Sequence, residues 1–143
     1  MKTARHALAA LLLLAASAAP ALAEAPTLLR PKADEKFTDN VFLTVGRTNA
    51  PQCADGEWQI EWQVLPARAT GEQWQPWKYA LGRISCYVRE HSAIDMPRDL
   101  FDPAPARYRV RVRLTWKGGE GEWSAWRMFE VIYPKGAKPP ARD

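Results

Sequence analysis

The stretch Arg107-Tyr108-Arg109-Val110-Arg111-Val112-Arg113-Leu114-Thr115-Trp116 decides the fold. Its side chains change sides at every residue. Tyr108, Val110, Val112, Leu114 and Trp116 share one face, while Arg107, Arg109, Arg111 and Arg113 share the other. A period of two is the mark of a half-buried β-strand. A slip of one residue would bury the guanidinium groups, so the cost of desolvating charge sets which way the strand faces.

The same alternation recurs outward from this segment. In Glu57 to Leu65 the apolar set Trp58, Ile60, Trp62 and Val64 opposes Glu57, Gln59, Glu61 and Gln63, and in Val41 to Val45 the residues Val41, Leu43 and Val45 point one way. Downstream, Lys117-Gly118-Gly119-Glu120-Gly121 reads as a hairpin turn in which glycine supplies positive φ. No Gly-Lys-Ser/Thr follows to make it a phosphate loop. A last strand is predicted from near Glu122, with Trp123, Ala125, Arg127, Phe129, Val131 and Tyr133 as its core face. Upstream, Pro26 to Pro31 reads as a first edge strand, Ala67 to Pro76 as a long loop, and Lys78 to Arg89 as one or two strands. Pro97, Pro103 and Pro105 leave room for a single turn or short helix at Asp99-Leu100-Phe101. The body is therefore all-β. About seven strands in roughly 110 residues suit a two-sheet antiparallel sandwich.

The chain has 143 residues, 47% hydrophobic and 25% charged, which is enough for one domain with a core and too little for two. Residues 1–23 read as a secretory signal peptide: Lys2 and Arg5, an apolar block from Ala7 to Ala16, then Ala21-Leu22-Ala23 for cleavage. The block is shorter than the roughly 20 residues a bilayer requires, so no transmembrane anchor is expected. The pattern looks bacterial, and the expected location of residues 24–133 is periplasmic or secreted, an oxidising space. Residues 134–143 read as a disordered, basic, Pro-rich tail. Without Lys2 and Arg5 the chain holds 18 basic and 16 acidic residues, and without the tail 15 of each. The excess charge thus belongs to the two ends, and a nucleic-acid partner loses its compositional support.

Leu100 through Val112, read as Leu-Phe-Asp-Pro-Ala-Pro-Ala-Arg-Tyr-Arg-Val-Arg-Val, resembles the fibronectin type III passage into strand F. Trp123-Ser124-Ala125-Trp126 resembles the Trp-Ser-x-Trp-Ser box of haematopoietic cytokine-receptor domains, which share that fold, with Arg127 in place of the final Ser. Val45 stands where strand B of that family usually carries Trp. The resemblance covers most of Pro26 to Tyr133 and implies an immunoglobulin-like or fibronectin-III-like sandwich. It also implies that Tyr108 is a corner tyrosine whose hydroxyl bonds to backbone around Asp102 to Pro105, and that the strand of Glu57 and Glu61 lies beside the arginine strand. It implies a fold and leaves the ligand open.

Arginines about 7 Å apart on one strand face repel by about 0.6 kcal/mol per neighbouring pair even in water. Compensation is expected from the rings of Trp123 and Trp126, in a ladder of alternating cation and ring, and from Glu57, Glu61 or Glu130. The face of Arg107, Arg109, Arg111, Arg113, Trp123 and Trp126 then reads either as a cationic interaction face or, preferentially, as a self-neutralised sheet surface. Trp123 cannot serve both the ladder and the core. Trp74, Trp77 and Tyr79, flanked by Gln73, Gln75 and Pro76, read as a lid over the core edge or as a platform for stacking a sugar.

Cys53 and Cys86 are expected to pair in a disulfide closing a loop of about 34 residues, which contributes about 3–4 kcal/mol on the chain-entropy model. Their separation does not fit a Cys-x-x-Cys redox pair. His91 is the one histidine outside the signal, no nucleophile-elbow pattern surrounds Ser124, and Asp95 with Asp99 or Asp102 makes only a bare carboxylate pair. Metal ligands are scarce. The expectation is a chain that is not an enzyme, with no catalytic residues, no metal and no other cofactor. It is a non-catalytic envelope or secreted module for binding or scaffolding, with another envelope protein as its partner. A carbohydrate-binding module with a polysaccharide partner is the alternative.

Overall fold

The computed structural model describes residues 24–66, 70–78, 80–101, 105–133 and 136. The expected signal peptide and all of the expected tail except Gly136 lie outside them. Along the chain run β1 (Leu28–Arg30), β2 (Glu35–Phe37), β3 (Val41–Val45), β4 (Glu57–Leu65), β5 (Gln75–Pro76), β6 (Arg83–Ser85), β7 (Ser92–Met96), β8 (Ala106–Trp116), β9 (Gly119–Glu120) and β10 (Arg127–Val131). Two 3₁₀ turns, Pro51–Asp55 and Arg98–Leu100, punctuate them. Among the described residues no helix is long and apolar enough to cross a membrane.

The strands form two sheets, a small one in the order β1-β3-β7 and a large one in the order β2-β10-β8-β4-β5, with β6 also on β4 and β9 also on β8. This is the all-β two-sheet sandwich that the alternation predicts. The segments beyond the expected seven are short pairings of two or three residues such as β5 and β9. One pairing departs from the antiparallel rule, because β2 runs parallel to β10. There the chain leaves the small sheet after β1 and enters the large one as β2, passing through Asp34 at φ 56°.

β4 and β8 pair over nine consecutive residues, from Glu57 opposite Thr115 to Leu65 opposite Arg107. Both keep strict alternation, so Trp58, Ile60, Trp62 and Val64 enter the core beside Tyr108, Val110, Val112 and Leu114. From the small sheet Val41, Leu43, Val45 and Met96 meet them. An aromatic cluster fills one end: Phe101 stacks on Trp77 at 4.7 Å, and Tyr108 stacks on Phe129 at 5.5 Å. Tyr108 is fully buried. Most of the backbone expected to receive its hydroxyl, residues 102–104, lies outside the described residues.

Two ties close the other end. The Trp58 indole N–H donates to the Ser92 hydroxyl at 3.1 Å, and that hydroxyl donates to the Ser85 carbonyl at 3.0 Å, joining β4 of one sheet to β7 of the other. Cys53 and Cys86 form the expected disulfide, with Cα atoms 5.3 Å apart, holding the first 3₁₀ turn to the chain just after β6. The Lys117-Gly118 turn follows the hairpin reading, with Gly118 at φ 97° and Trp116 opposite Gly119.

The last strand departs from the expected one. β10 begins at Arg127, five residues later than expected, and only Phe129 and Val131 of the expected core face are buried. Trp123 is half-buried and Ala125 exposed, while Ser124 between them is buried. The reason is that Trp123 and Trp126 are drawn to the arginines of β8.

Candidate functional site: an arginine and tryptophan ladder

The outward residues of β8 meet two sets of partners. On the β4 side, register places Gln63 opposite Arg109, Glu61 opposite Arg111 and Gln59 opposite Arg113. Each pair is joined. Arg109 Nε donates to Gln63 Oε1 at 2.7 Å, Arg113 Nε donates to Gln59 Oε1 at 2.8 Å, and Arg111 donates to Glu61 Oε2 through Nε at 2.9 Å and Nη2 at 2.7 Å. Arg113 reaches Glu120 on β9 at 2.7 Å.

The rings stand between and beyond the cations. Trp123 lies between Arg113 and Arg111, at 4.4 and 4.5 Å from their guanidinium carbons to its ring centre. Trp126 lies between Arg111 and Arg109, at 4.4 Å from each. Trp74 covers the far side of Arg109 at 4.6 Å. The stack therefore reads Arg113, Trp123, Arg111, Trp126, Arg109, Trp74. Each contact is worth about 0.5–1 kcal/mol, against about 0.6 kcal/mol of repulsion per neighbouring pair of cations, so the rings and amides together win. Burial, and then the charge of Arg111, press the Arg109 guanidinium below its ordinary range against the pull of Glu61 and Glu72.

The ladder explains why 121–126 is not a pleated strand. Trp123 and Trp126 are three residues apart yet face the same row, a spacing that belongs to a threefold extended chain and not to a period of two. The segment is held to β8 by its own bonds. Gly121 N–H donates to Leu114 O at 2.8 Å and Ser124 N–H donates to Val112 O at 2.8 Å, while Val112 N–H donates to the Ser124 hydroxyl at 3.0 Å. The Ser124 hydroxyl donates in turn to Ala125 O at 3.1 Å. It is thus bound up in main-chain pairing.

Of the residues singled out in the sequence, Arg109, Arg111, Arg113, Trp123 and Trp126 come together. Arg107 stays exposed and outside the stack, opposite Leu65 and Glu130 in register. Glu61 serves as expected, but Glu57 lies 3.5 Å from Arg83 instead of meeting the β8 arginines. Trp74 and Trp77 do not share one exposed platform. Trp77 is buried in the aromatic cluster because Phe101 and Tyr108 offer it rings at 4.7 and 5.3 Å, Trp74 is spent on Arg109, and Tyr79 lies outside the described residues. His91 is exposed beside Glu90, far in sequence from Ser124.

Three ladder members escaped the sequence reading. Gln59 and Gln63 were legible in principle, since they share the outward face of β4 with Glu61. Trp74 carried no such signal, because its place depends on a loop whose path no periodicity records. No protein-family model matches this chain, and no curated protein matches it significantly.

Proposed function

We propose that the chain is a secreted or periplasmic fibronectin-III-like module that binds or scaffolds another protein and carries out no catalysis. The carrying observation is that the clustered groups chemistry would draw on are already engaged in structure. Arg109, Arg111 and Arg113 are held by rings and by amide or carboxylate oxygens, the Ser124 hydroxyl by the β8 backbone, and the cysteines by each other. The strand orders, the buried Tyr108 and the ladder built on Trp123-Ser124-Ala125-Trp126 support the family reading. The disulfide supports an oxidising location.

The test is affinity capture from a cell-envelope extract on the immobilised, oxidised chain from Glu24, followed by titration of the purified partner. Saturable binding of one protein is expected. Retention of purified polysaccharide instead, lost on Trp74→Ala, would move the reading to carbohydrate binding. Turnover of ester or glycoside substrates that disappears on His91→Ala would overturn the non-catalytic reading.

A further inference from the structure

The two sides of the sandwich are finished differently. On one side the continuous segment 28–37 supplies the edge of both sheets, β1 to the small sheet and β2 to the large. On the other side the edges belong to β7 in the small sheet and to β5 and β6 in the large, and β6 approaches β7 where the Ser92 hydroxyl donates to the Ser85 carbonyl. Among the described residues β7 pairs only with β3, over five consecutive positions from Val41 opposite Met96 to Val45 opposite Ser92. Its outer row of backbone N–H and C=O groups faces away from the sheet.

Edge strands are usually blunted by charged side chains, lysine above all, by proline, a bulge or extreme shortness. β7 reads Ser92-Ala93-Ile94-Asp95-Met96, with no lysine or proline and a single charge, Asp95, and its register against β3 is unbroken. Beside it lies a cavity of about 470 Å³ lined by Ile84, Tyr87, Glu90, His91, Ser92 and Ala93 among others. Tyr87, exposed by 55%, stands in the lining of that groove. A row of open peptide groups at strand spacing accepts one kind of complement, another extended backbone.

We propose that β7 is a docking edge at which an extended segment of a partner protein adds as a fourth strand of the small sheet. One of its apolar side chains enters the cavity beside Tyr87. Charge sets the rest of the partner's chemistry. The one formally charged residue lining the cavity is Glu90, and the one in β7 is Asp95, while Arg83 is turned toward Glu57. The incoming strand alternates apolar residues with Lys or Arg. This deepens the reading of the chain as a protein-binding module and rests on it for the identity of the partner as a protein.

Selection of phage-displayed random short peptides against the oxidised protein, followed by amide hydrogen exchange with an enriched synthetic peptide, tests the edge directly. The expected peptides alternate apolar and basic residues and slow exchange at outward amides of residues 92–96. Asp95→Lys, checked for an unchanged melting temperature, weakens binding by about tenfold. Tyr87→Ala also weakens it. Protection on the ladder face or in the loops, acidic or irregular peptides, or no enrichment would overturn the proposal. So would protection of β7 that grows with protein concentration in the absence of peptide, which would mean a second copy as the occupant. A captured envelope protein indifferent to Asp95→Lys sinks the edge and spares the module reading. Peptides at β7 with no captured protein do the reverse.

Discussion

Arg111 shows how a full positive charge is kept on the outer face of a sheet. Its guanidinium lies 4.5 Å from the Trp123 ring centre and 4.4 Å from that of Trp126, and its edge donates twice to Glu61. Planarity is what allows ring contact and the paired hydrogen bonds at once, and lysine lacks it. Arg111→Ala is expected to lower stability by about 2 kcal/mol, from two ring contacts and one partly exposed ion pair, with Arg111→Lys recovering only part. Denaturant midpoints for the two variants check this, and equal midpoints for Lys and wild type would show that charge alone suffices. Ser92 is the neutral counterpart. Ser92→Ala would leave the buried Trp58 N–H without its acceptor, at a cost of about 1–3 kcal/mol. An unchanged chemical shift for the Trp58 indole proton in that variant would refute the assigned bond.

Among the elements, the start of β4 leaves little room for change. Gly56 joins the first 3₁₀ turn to β4, and a Cβ there would sit 2.6 Å from Gln52 O and 2.9 Å from Thr115 O. Both neighbours are backbone, so neither can swing aside. Gly56→Ala is expected to cost about 1–3 kcal/mol and to disturb the β4 and β8 pairing at Thr115, visible in amide exchange. The nearby Cys53 to Cys86 bridge contributes on the order of 3–4 kcal/mol on the loop-entropy model, so replacing both cysteines by serine should lower the midpoint accordingly. β3, β4 and β8 were legible because each buries one face and wets the other, which writes the period of two into the sequence. The 121–126 segment was misread because its threefold spacing, Trp123 to Trp126, overlaps a false alternation through Ala125. The 70–78 stretch was illegible for a different reason. Trp74 goes to the outer ladder and Trp77 to the core, so the short segment around β5, expected as a loop, is clamped from both faces of a sheet and shows no single periodicity.

For the whole molecule, arginines fasten the side where the chain changes sheets. Arg127 on β10 donates to Pro31 O at 3.0 Å and to Leu28 O at 3.4 Å, tying the large sheet to β1. Arg98 donates to the carbonyls of Thr38 and Ile132 and lies over the Tyr133 ring at 3.7 Å. Arg30 pairs with Glu35 across the crossover and also covers the rings of Phe37 and Phe42. Glu35 makes this fastening sensitive to acid. Burial pushes its carboxyl up, but the Arg30 hydrogen bond, the Lys32 backbone N–H and both positive charges outweigh that and hold it below the ordinary 4.5. A carboxyl that is more acidic folded than unfolded adds stability above its unfolded value, and that stability is lost as pH falls through the lower folded value. Unfolding curves of the wild type and Glu35→Gln should therefore be furthest apart near neutral pH and converge as pH drops below about 4.5, because protonation does to the wild type what the substitution has already done. A difference between the two that stays constant down the acid limb would place the stabilisation in the packing around Arg30 and not in the ionised carboxylate.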